Sequence, residues 1–187
     1  SYAFFRVLHL VIDASQAANR PLSPVRYLNF TLNFPAFISG PIQRYESYEA
    51  DNNLPLDLGT IGTAAWCVVL GSFKVLILSQ GLHSWQRQSL AAVVAGAPLE
   101  QRATQGALAA TLYALFLYVN FSGYTDFVIG IARLYRLRLP ENFDHPFAAP
   151  NFIEFWSRWH ISLSQWLRSY VFNPLLIGWM RRHKAAR

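Results

Sequence analysis

The sequence is poor in charged residues and almost lacks cysteine. Only 14% of its 187 residues are charged, whereas 53% are hydrophobic and 16% are aromatic. A soluble domain usually carries about a quarter charged residues, so this deficit favours a bilayer environment. Cys67 is the single cysteine. It therefore excludes an internal disulfide and any site built from several cysteines.

Several sequence motifs of soluble enzymes are also missing. The sequence has no zinc-ligand spacing, no glycine-rich phosphate loop and no Gly-x-Ser-x-Gly elbow. Soluble hydrolases and nucleotide-binding proteins are therefore poorly supported, and we expect no metal site.

The basic charge is concentrated at one end of the chain. Seven basic residues offset 7 acidic ones up to residue 132, whereas 9 basic and 3 acidic residues follow, which places the whole formal charge of +6 there. The positive-inside rule assigns this part to the cytoplasmic side. The apolar runs around it argue against nucleic-acid binding, the other common interpretation of a basic chain.

The pattern of apolar runs predicts an all-α, polytopic transmembrane bundle with interfacial helices. Residues 59–82 are the clearest spanning candidate, interrupted only by Lys74, and residues 104–132 form a second long apolar segment. The remaining segments are a helix at 2–18 that is buried in a bundle or interfacial, a mostly apolar run at 22–43, a polar loop at 45–58, and a loop or interfacial helix at 83–103.

A helix is predicted to begin at Phe152. Asn151 is a good N-cap with Glu154 three residues later, and Pro174 predicts that the helix ends near Tyr170–Phe172. On a helical wheel, His160 is centred on the less polar face, so we expect its imidazole to point inward. The residue is then either a structural hydrogen-bonding group or a general base.

Other side chains of this helix are candidate substrate contacts. Arg158 and Arg168 would bind either lipid headgroups or an anionic part of a substrate. Trp156 and Ser164 lie on the His160 side of the wheel. An aromatic belt at the membrane interface accounts for Trp159 and Trp166.

Asp126 is a second candidate, because it interrupts the apolar segment 104–132. An acid in such a position is either functional or pairs with an arginine such as Arg133 to hold helices together. Gly123 would allow a close approach of another helix at this level.

Three blocks resemble the membrane-bound O-acyltransferase family, and in particular its bacterial branch for alginate O-acetylation. The first runs from Ser39 to Tyr45 (SGPIQRY) and the second from Phe121 to Asp126 (FSGYTD). The third begins with Glu141-Asn142-Phe143 and continues through the FWSRWHISLS and WLRSYV stretches to Val171. The D-alanyl transfer proteins of teichoic acid synthesis are similar but more distant.

The resemblance implies an enzyme that takes an acyl group from a thioester donor, such as acetyl-CoA, to a hydroxyl acceptor. It makes His160 a catalytic base and implies no bound cofactor or metal. It also implies a multi-pass protein of the bacterial cytoplasmic membrane, which acts on an exported polysaccharide such as alginate together with a periplasmic acyltransferase. D-alanyl or other acyl transfer from a carrier protein, and a non-catalytic scaffold or channel, are the alternatives.

Residues 1–187 are expected to form a partial domain of this family, truncated at both ends. The family has a second active-site histidine, which is expected beyond Arg187. Ser169 stands where relatives often have aspartate, and this removes an acid that could pair with a nearby arginine.

Overall fold

The computed structural model describes residues 2–16, 23–37, 39–50, 54–96 and 98–184. Parts of the predicted segments, such as 17–18 and 51–53, lie outside these ranges. The described residues are mainly helical and form no β-strand, which confirms the all-α prediction. The chain divides into two compact units, one of Ser1–Thr60 with Ala132–Arg187 and one of Ile61–Ile131.

The helices follow one another with short connections. They are α1 (Tyr2–Gln16), α2 (Pro24–Thr31), α3 (Tyr45–Ala50), α4 (Leu58–Phe73), α5 (Ser79–Val94), α6 (Leu99–Leu134), α7 (Phe152–Arg158), α8 (Ile161–Leu167) and α9 (Asn173–Lys184). Two π-turns, Lys74–Leu78 and Arg168–Phe172, join α4 to α5 and α8 to α9, and 3₁₀ turns lie at Phe34–Ala36 and Pro146–Ala148.

Two helices are long and apolar enough to cross a membrane, as the sequence predicts. They are Leu58–Val94, 37 residues with a mean hydropathy of 1.9, and Leu99–Leu134, 36 residues with a mean hydropathy of 1.3. Both exceed the predicted spans because the flanking Ala, Leu, Gln and Arg residues are good helix formers. The predicted loop or interfacial helix at 83–103 is therefore mostly a continuation of these two helices, which are separated by a turn at Gly96 with φ of +80°.

Glycines hold the helices of the second unit close together. A Cβ atom on Gly71 would lie 2.5 Å from the Gly123 carbonyl oxygen, and one on Gly130 would lie 2.7 Å from that of Ala64. A Cβ on Gly123 would in turn lie 2.5 Å from the Lys74 Cβ atom. Small residues are what permits such backbone contact, so the expectation for Gly123 is confirmed.

The first unit is organised around α1. Arg6 is fully buried and donates to the carbonyls of Asn33 and Ala36 at 3.3 and 2.6 Å. His9, also fully buried, stacks on Tyr170 at a centroid distance of 5.6 Å. One face of the described part of segment 2–18 is thus buried against protein, whereas Phe4 and Val11 are exposed.

One prediction for this unit was wrong in detail, because segment 45–58, predicted as a polar loop, contains α3. Within the apolar run 22–43, a turn at Asn33–Pro35 separates α2 from the 3₁₀ turn.

The last helical stretch also continues past its predicted end. The N–H of Asn173 bonds to the carbonyl of Arg168 five residues earlier. Proline lacks a backbone N–H and its ring clashes with the preceding turn of an α-helix. The wider turn accommodates both properties of Pro174, and α9 follows without a break.

Candidate active site

Helix α7 begins where the sequence predicts. The side chain of Asn151 accepts a hydrogen bond of 2.8 Å from the N–H of Glu154, which serves one of the donors that a helix start leaves open. The helix then ends after only two turns, at Arg158.

The continuous helix predicted from Phe152 to about Phe172 was wrong, because the chain breaks at His160. Trp159 is extended and His160 is left-handed, with φ of 46° and ψ of 54°. A side chain other than glycine in that region costs about 1–3 kcal/mol and persists only where its surroundings enforce it. The helical wheel therefore does not describe how His160 is presented.

A short extended segment, residues 142–144, enforces the break in the helix at His160, and we call this segment the strap. The N–H of Asp144 donates to the carbonyl of Arg158 at 3.1 Å, and Phe143 forms an antiparallel bridge with Trp159. The rings of Phe143 and Trp159 also meet edge to face at 5.1 Å. These long-range contacts replace the helical hydrogen bonds that the chain gives up between α7 and α8.

Asn142 caps α8 from outside the helix. Its backbone carbonyl accepts from the N–H of Ile161 at 3.0 Å, and its Oδ1 atom accepts from the N–H of Ser162 at 3.3 Å. His160, the formal N-cap residue, makes no capping bond with its side chain. Asn142 thus serves the first two open donors of the helix that starts directly after the histidine.

Ser162 connects two of the three sequence blocks, the first and the third. The hydroxyl of Ser162 donates to Asn142 Oδ1 at 2.6 Å and accepts from the N–H of Ile42 at 3.0 Å. Asn142 is fully buried and Ser162 is 3% exposed. The loop at Gly40–Arg44 is therefore fixed directly to the start of α8.

The surroundings of His160 favour the neutral imidazole. The ring is half-buried, and this desolvation lowers the pKa of His160 below its ordinary value of 6.5. A neutral imidazole at neutral pH can accept a proton from an attacking hydroxyl, which is what a general base must do.

Beside this histidine, α7 and α8 enclose a groove of about 580 Å³, which we call the α7–α8 groove. Trp156, Ser164 and Arg168, three of the predicted substrate contacts, line it together. The other lining residues are Phe152, Ile153, Ser157, Ile161 and Gln165. His160 is not among them, although its neighbour Ile161 is.

The chain matches the family model described as MBOAT, membrane-bound O-acyltransferase family, over residues 5–186. The chain belongs to the membrane-bound O-acyltransferase family. This confirms the resemblance seen in the three blocks.

Curated relatives of the chain act on different polymers, according to their names. It is 30% identical to the teichoic acid D-alanyltransferase of Bacillus subtilis over 98% of this chain and 46% of the relative. It is 32% identical to "Probable alginate O-acetylase AlgI" of Pseudomonas syringae over 94% of this chain and 33% of the relative. It is 30% identical to the peptidoglycan O-acetyltransferase of Helicobacter pylori over 80% and 28%, respectively. The chain thus spans less than half the length of these relatives.

The structure of this O-acyltransferase-family chain does not bring all the predicted site residues together. Arg158 does not line the groove, and its Nη2 atom lies 3.5 Å from Oε1 of Glu154, one helical turn earlier. Asp126 belongs to the second unit, where its carboxylate binds the Lys74 ammonium at 2.6 Å. The pairing expected for Asp126 exists, but with a lysine and not with Arg133.

The aromatic residues also differ from expectation. Trp166 is 4% exposed and packs edge-on against Phe5 at 4.8 Å, so it belongs to the packed interior and not to an interfacial belt. Trp159 stacks on Phe155 at 5.5 Å and holds the strap in place.

Asn142 and Ser162 lie within the third block, but the sequence pattern indicates no role for either. The signal available was the short polar side chain at each position, which is a typical capping residue type. Their pairing joins residues 20 positions apart, so spacing along one helix gives no sign of it.

Proposed function

We propose that the protein is a membrane-embedded O-acyltransferase that transfers acetyl from a thioester donor, such as acetyl-CoA, toward hydroxyls of an exported polysaccharide such as alginate. Family membership and the O-acetylating relatives support this function. The two candidate spans and the basic residues after Arg133 support a multi-pass location in the bacterial cytoplasmic membrane.

The observation that carries the proposal is the presentation of His160. A neutral imidazole sits at an enforced break between two helices, next to a groove that can hold a substrate. His160 would take the proton of the acceptor hydroxyl while that oxygen bonds to the thioester carbonyl carbon. The carbon–sulfur bond then breaks, and the imidazolium returns the proton to the departing thiolate.

The remaining side chains of the groove would position the reactants. Trp156 offers a broad apolar surface, Ser164 a hydroxyl and Arg168 a planar cation that suits an anionic group. The thioester enters as a substrate, and the proposal needs no further cofactor. A periplasmic acyltransferase is the proposed partner that receives the group or delivers it to the polymer.

The test is complementation with the full-length protein carrying His160→Ala. We expect polymer acetylation to fall by about 100-fold or more, as for the loss of a general base. His145→Ala is the matched control, because that side chain is exposed and its hydrogen bond within the described part of the chain is to the neighbouring Asp144 at 3.1 Å. Unchanged acetylation in His160→Ala at normal protein levels would contradict the proposal and favour a non-catalytic scaffold or channel.

Transfer of D-alanine or another acyl group from a carrier protein is the second candidate. It is favoured by the teichoic acid D-alanyltransferase of Bacillus subtilis, which aligns with 98% of this chain. Donor-loading assays with acetyl-CoA and with carrier-bound alanine separate the two. If only carrier-bound alanine served as donor, and His160→Ala abolished that transfer, the catalytic role of His160 would stand and the carrier would replace acetyl-CoA as the proposed donor.

A further inference from the structure

The second unit has a groove of its own between α5 and α6, near the turn that joins these helices. Its volume is about 450 Å³, and we call it the α5–α6 groove. The described lining residues, none of which carries a charge, are Trp85, Gln88, Ser89, Ala92, Gln105, Leu108 and Leu112. The groove takes no part in the acyl-transfer step proposed for His160.

The α5–α6 groove lies beyond the apolar span of its two helices. The ring of His83 stacks on Phe116 at 4.9 Å, and the lining residues all follow His83 on α5 or precede Phe116 on α6. The apolar run 59–82 that leads up to this level already covers about 36 Å of helix, whereas the hydrocarbon core is about 30 Å thick. We therefore expect the groove in the headgroup or aqueous layer. The positive-inside rule predicts that this layer is on the side opposite the cytoplasm, away from the basic residues that follow α6.

Trp85 forms an aromatic platform on this groove. Its side chain is 59% exposed. The face of an indole ring carries partial negative charge, so the partly positive C–H bonds of a sugar ring can stack on it. An aromatic belt at the membrane interface would also account for an exposed tryptophan here. The polar side chains beside Trp85 distinguish the two interpretations.

Gln88, Ser89 and Gln105 make no side-chain hydrogen bond with any residue that the structure describes. Ser89 is only 8% exposed, yet its Oγ atom is not closed off from the groove. A hydroxyl buried to this degree is normally hydrogen-bonded, so its free state on the groove wall indicates a polar ligand. A carboxamide and a hydroxyl each donate and accept hydrogen bonds, as the neighbouring hydroxyls of a sugar also do.

We propose that the α5–α6 groove binds a neutral sugar residue of a polysaccharide. The indole of Trp85 stacks on the sugar ring, while Gln88, Ser89 and Gln105 exchange hydrogen bonds with its hydroxyls. A uronate or a phosphate would place its charge among lining residues that offer no cation, and an acyl chain would leave the carboxamides without partners. The volume is in the usual range of small-molecule sites.

This site provides a glycan contact on the side of the membrane where an exported polymer is found. The proposal does not depend on catalysis by His160, because binding is measured without an acyl donor. His160→Ala should bind glycan as the wild type does, so a failure of either proposal can be recognised separately.

The test is equilibrium dialysis of tritiated cellohexaose, chitohexaose and maltohexaose, three neutral hexasaccharides, against the purified full-length protein in phosphatidylcholine nanodiscs. We expect saturable binding of at least one of them. Trp85→Ala should weaken this binding about tenfold or more, because the stacking surface is lost. Gln105→Leu should weaken it about threefold or more, because hydrogen bonds are lost while the volume is kept.

Trp66→Ala is the matched control, because Trp66 is 64% exposed in α4 but does not line the groove. Its binding should equal that of the wild type. Equal weakening in Trp66→Ala and Trp85→Ala would overturn the proposal, as would displacement of the probe by a hexauronate at the same concentration as by the neutral sugar. Absence of saturable binding in the wild type would also overturn it, and is the result expected if lipid or another helix of the full-length protein covers Trp85.

Discussion

At the scale of single residues, Asn142 is the side chain that fixes the geometry of the candidate site. Its Oδ1 atom accepts from both the N–H and the hydroxyl of Ser162, while its backbone carbonyl accepts from the N–H of Ile161. His160 precedes these groups directly, so its left-handed backbone depends on contacts made by a residue 18 positions earlier in the sequence. Asn142 is therefore expected to act as a positioning residue.

We expect Asn142→Ala to destabilise the protein by about 2–3 kcal/mol, because buried donors of α8 lose their acceptor. It should also lower kcat for acyl transfer while leaving KM for the donor nearly unchanged, since His160 shifts but the groove remains. Thermal unfolding and steady-state kinetics of the full-length protein measure the two effects.

The matched control is Asn151→Ala, which removes an N-cap of the neighbouring α7. Its cost should be about 1 kcal/mol, with kcat unchanged, because that cap is exposed and does not hold His160. If Asn142→Ala lost stability but kept the wild-type kcat, the residue would be structural only.

The importance of His160 was predictable from the sequence, but its backbone conformation was not. Its place in the FWSRWHISLS stretch was enough to single it out, and the N-cap at Asn151 was predicted correctly. Its left-handed backbone was not predictable from periodicity, because the strap of residues 142–144 that creates it is distant in the sequence.

At the scale of helices, the contact of Lys74 with Asp126 is the main polar link within the second unit. The ammonium and carboxylate are 2.6 Å apart and about a quarter exposed. Lys74 also opens the π-turn that joins α4 to α5. Both charges lie in apolar helices, where an unpaired charge is energetically costly, so the pairing lowers the cost of placing each charge there.

If the role of the Lys74–Asp126 pair is structural, each single variant should lower the free energy of unfolding, and the double variant should regain most of the loss. We expect Asp126→Asn to destabilise by about 1–3 kcal/mol because Lys74 loses its partner, and Lys74→Met with Asp126→Asn to regain most of that loss. Unfolding in detergent, combined as a double-mutant cycle, measures the coupling.

Acyl transfer by the same variants decides between the two roles considered for Asp126. Recovery of both stability and activity in the double variant assigns it to helix pairing. Recovery of stability without activity would show that the carboxylate itself is required. Gly106→Ala in α6 serves as the control, because its Cβ would meet nothing within 4 Å.

The helices themselves were predictable to different degrees. The two long apolar segments were found because hydropathy depends only on composition. Their polar extensions to Val94 and from Leu99 were missed, since helix propensity continues where hydropathy ends. The continuation past Pro174 was missed because a π-turn leaves no pattern in the sequence.

At the scale of the whole molecule, charge and helix order predict an orientation in the membrane. The two long helices of the second unit run antiparallel, since Ala64 meets Gly130 whereas His83 stacks on Phe116. The turn at Ala95–Gly96 therefore lies at the opposite end from Leu134. Arg133, Arg136 and Arg138 lie within four residues of Leu134 in the sequence.

The positive-inside rule then predicts that the end of α6 faces the cytoplasm and that the turn at Ala95 faces the opposite side of the membrane. In intact cells, a membrane-impermeant maleimide should label Ala95→Cys, whereas Tyr135→Cys should react only after permeabilisation. Cys67 supplies the control, because it lies within α4 in the apolar span and should react poorly in both conditions. The reverse labelling pattern would require the basic end of α6 to face the periplasm, which would remove the charge argument for the cytoplasmic side.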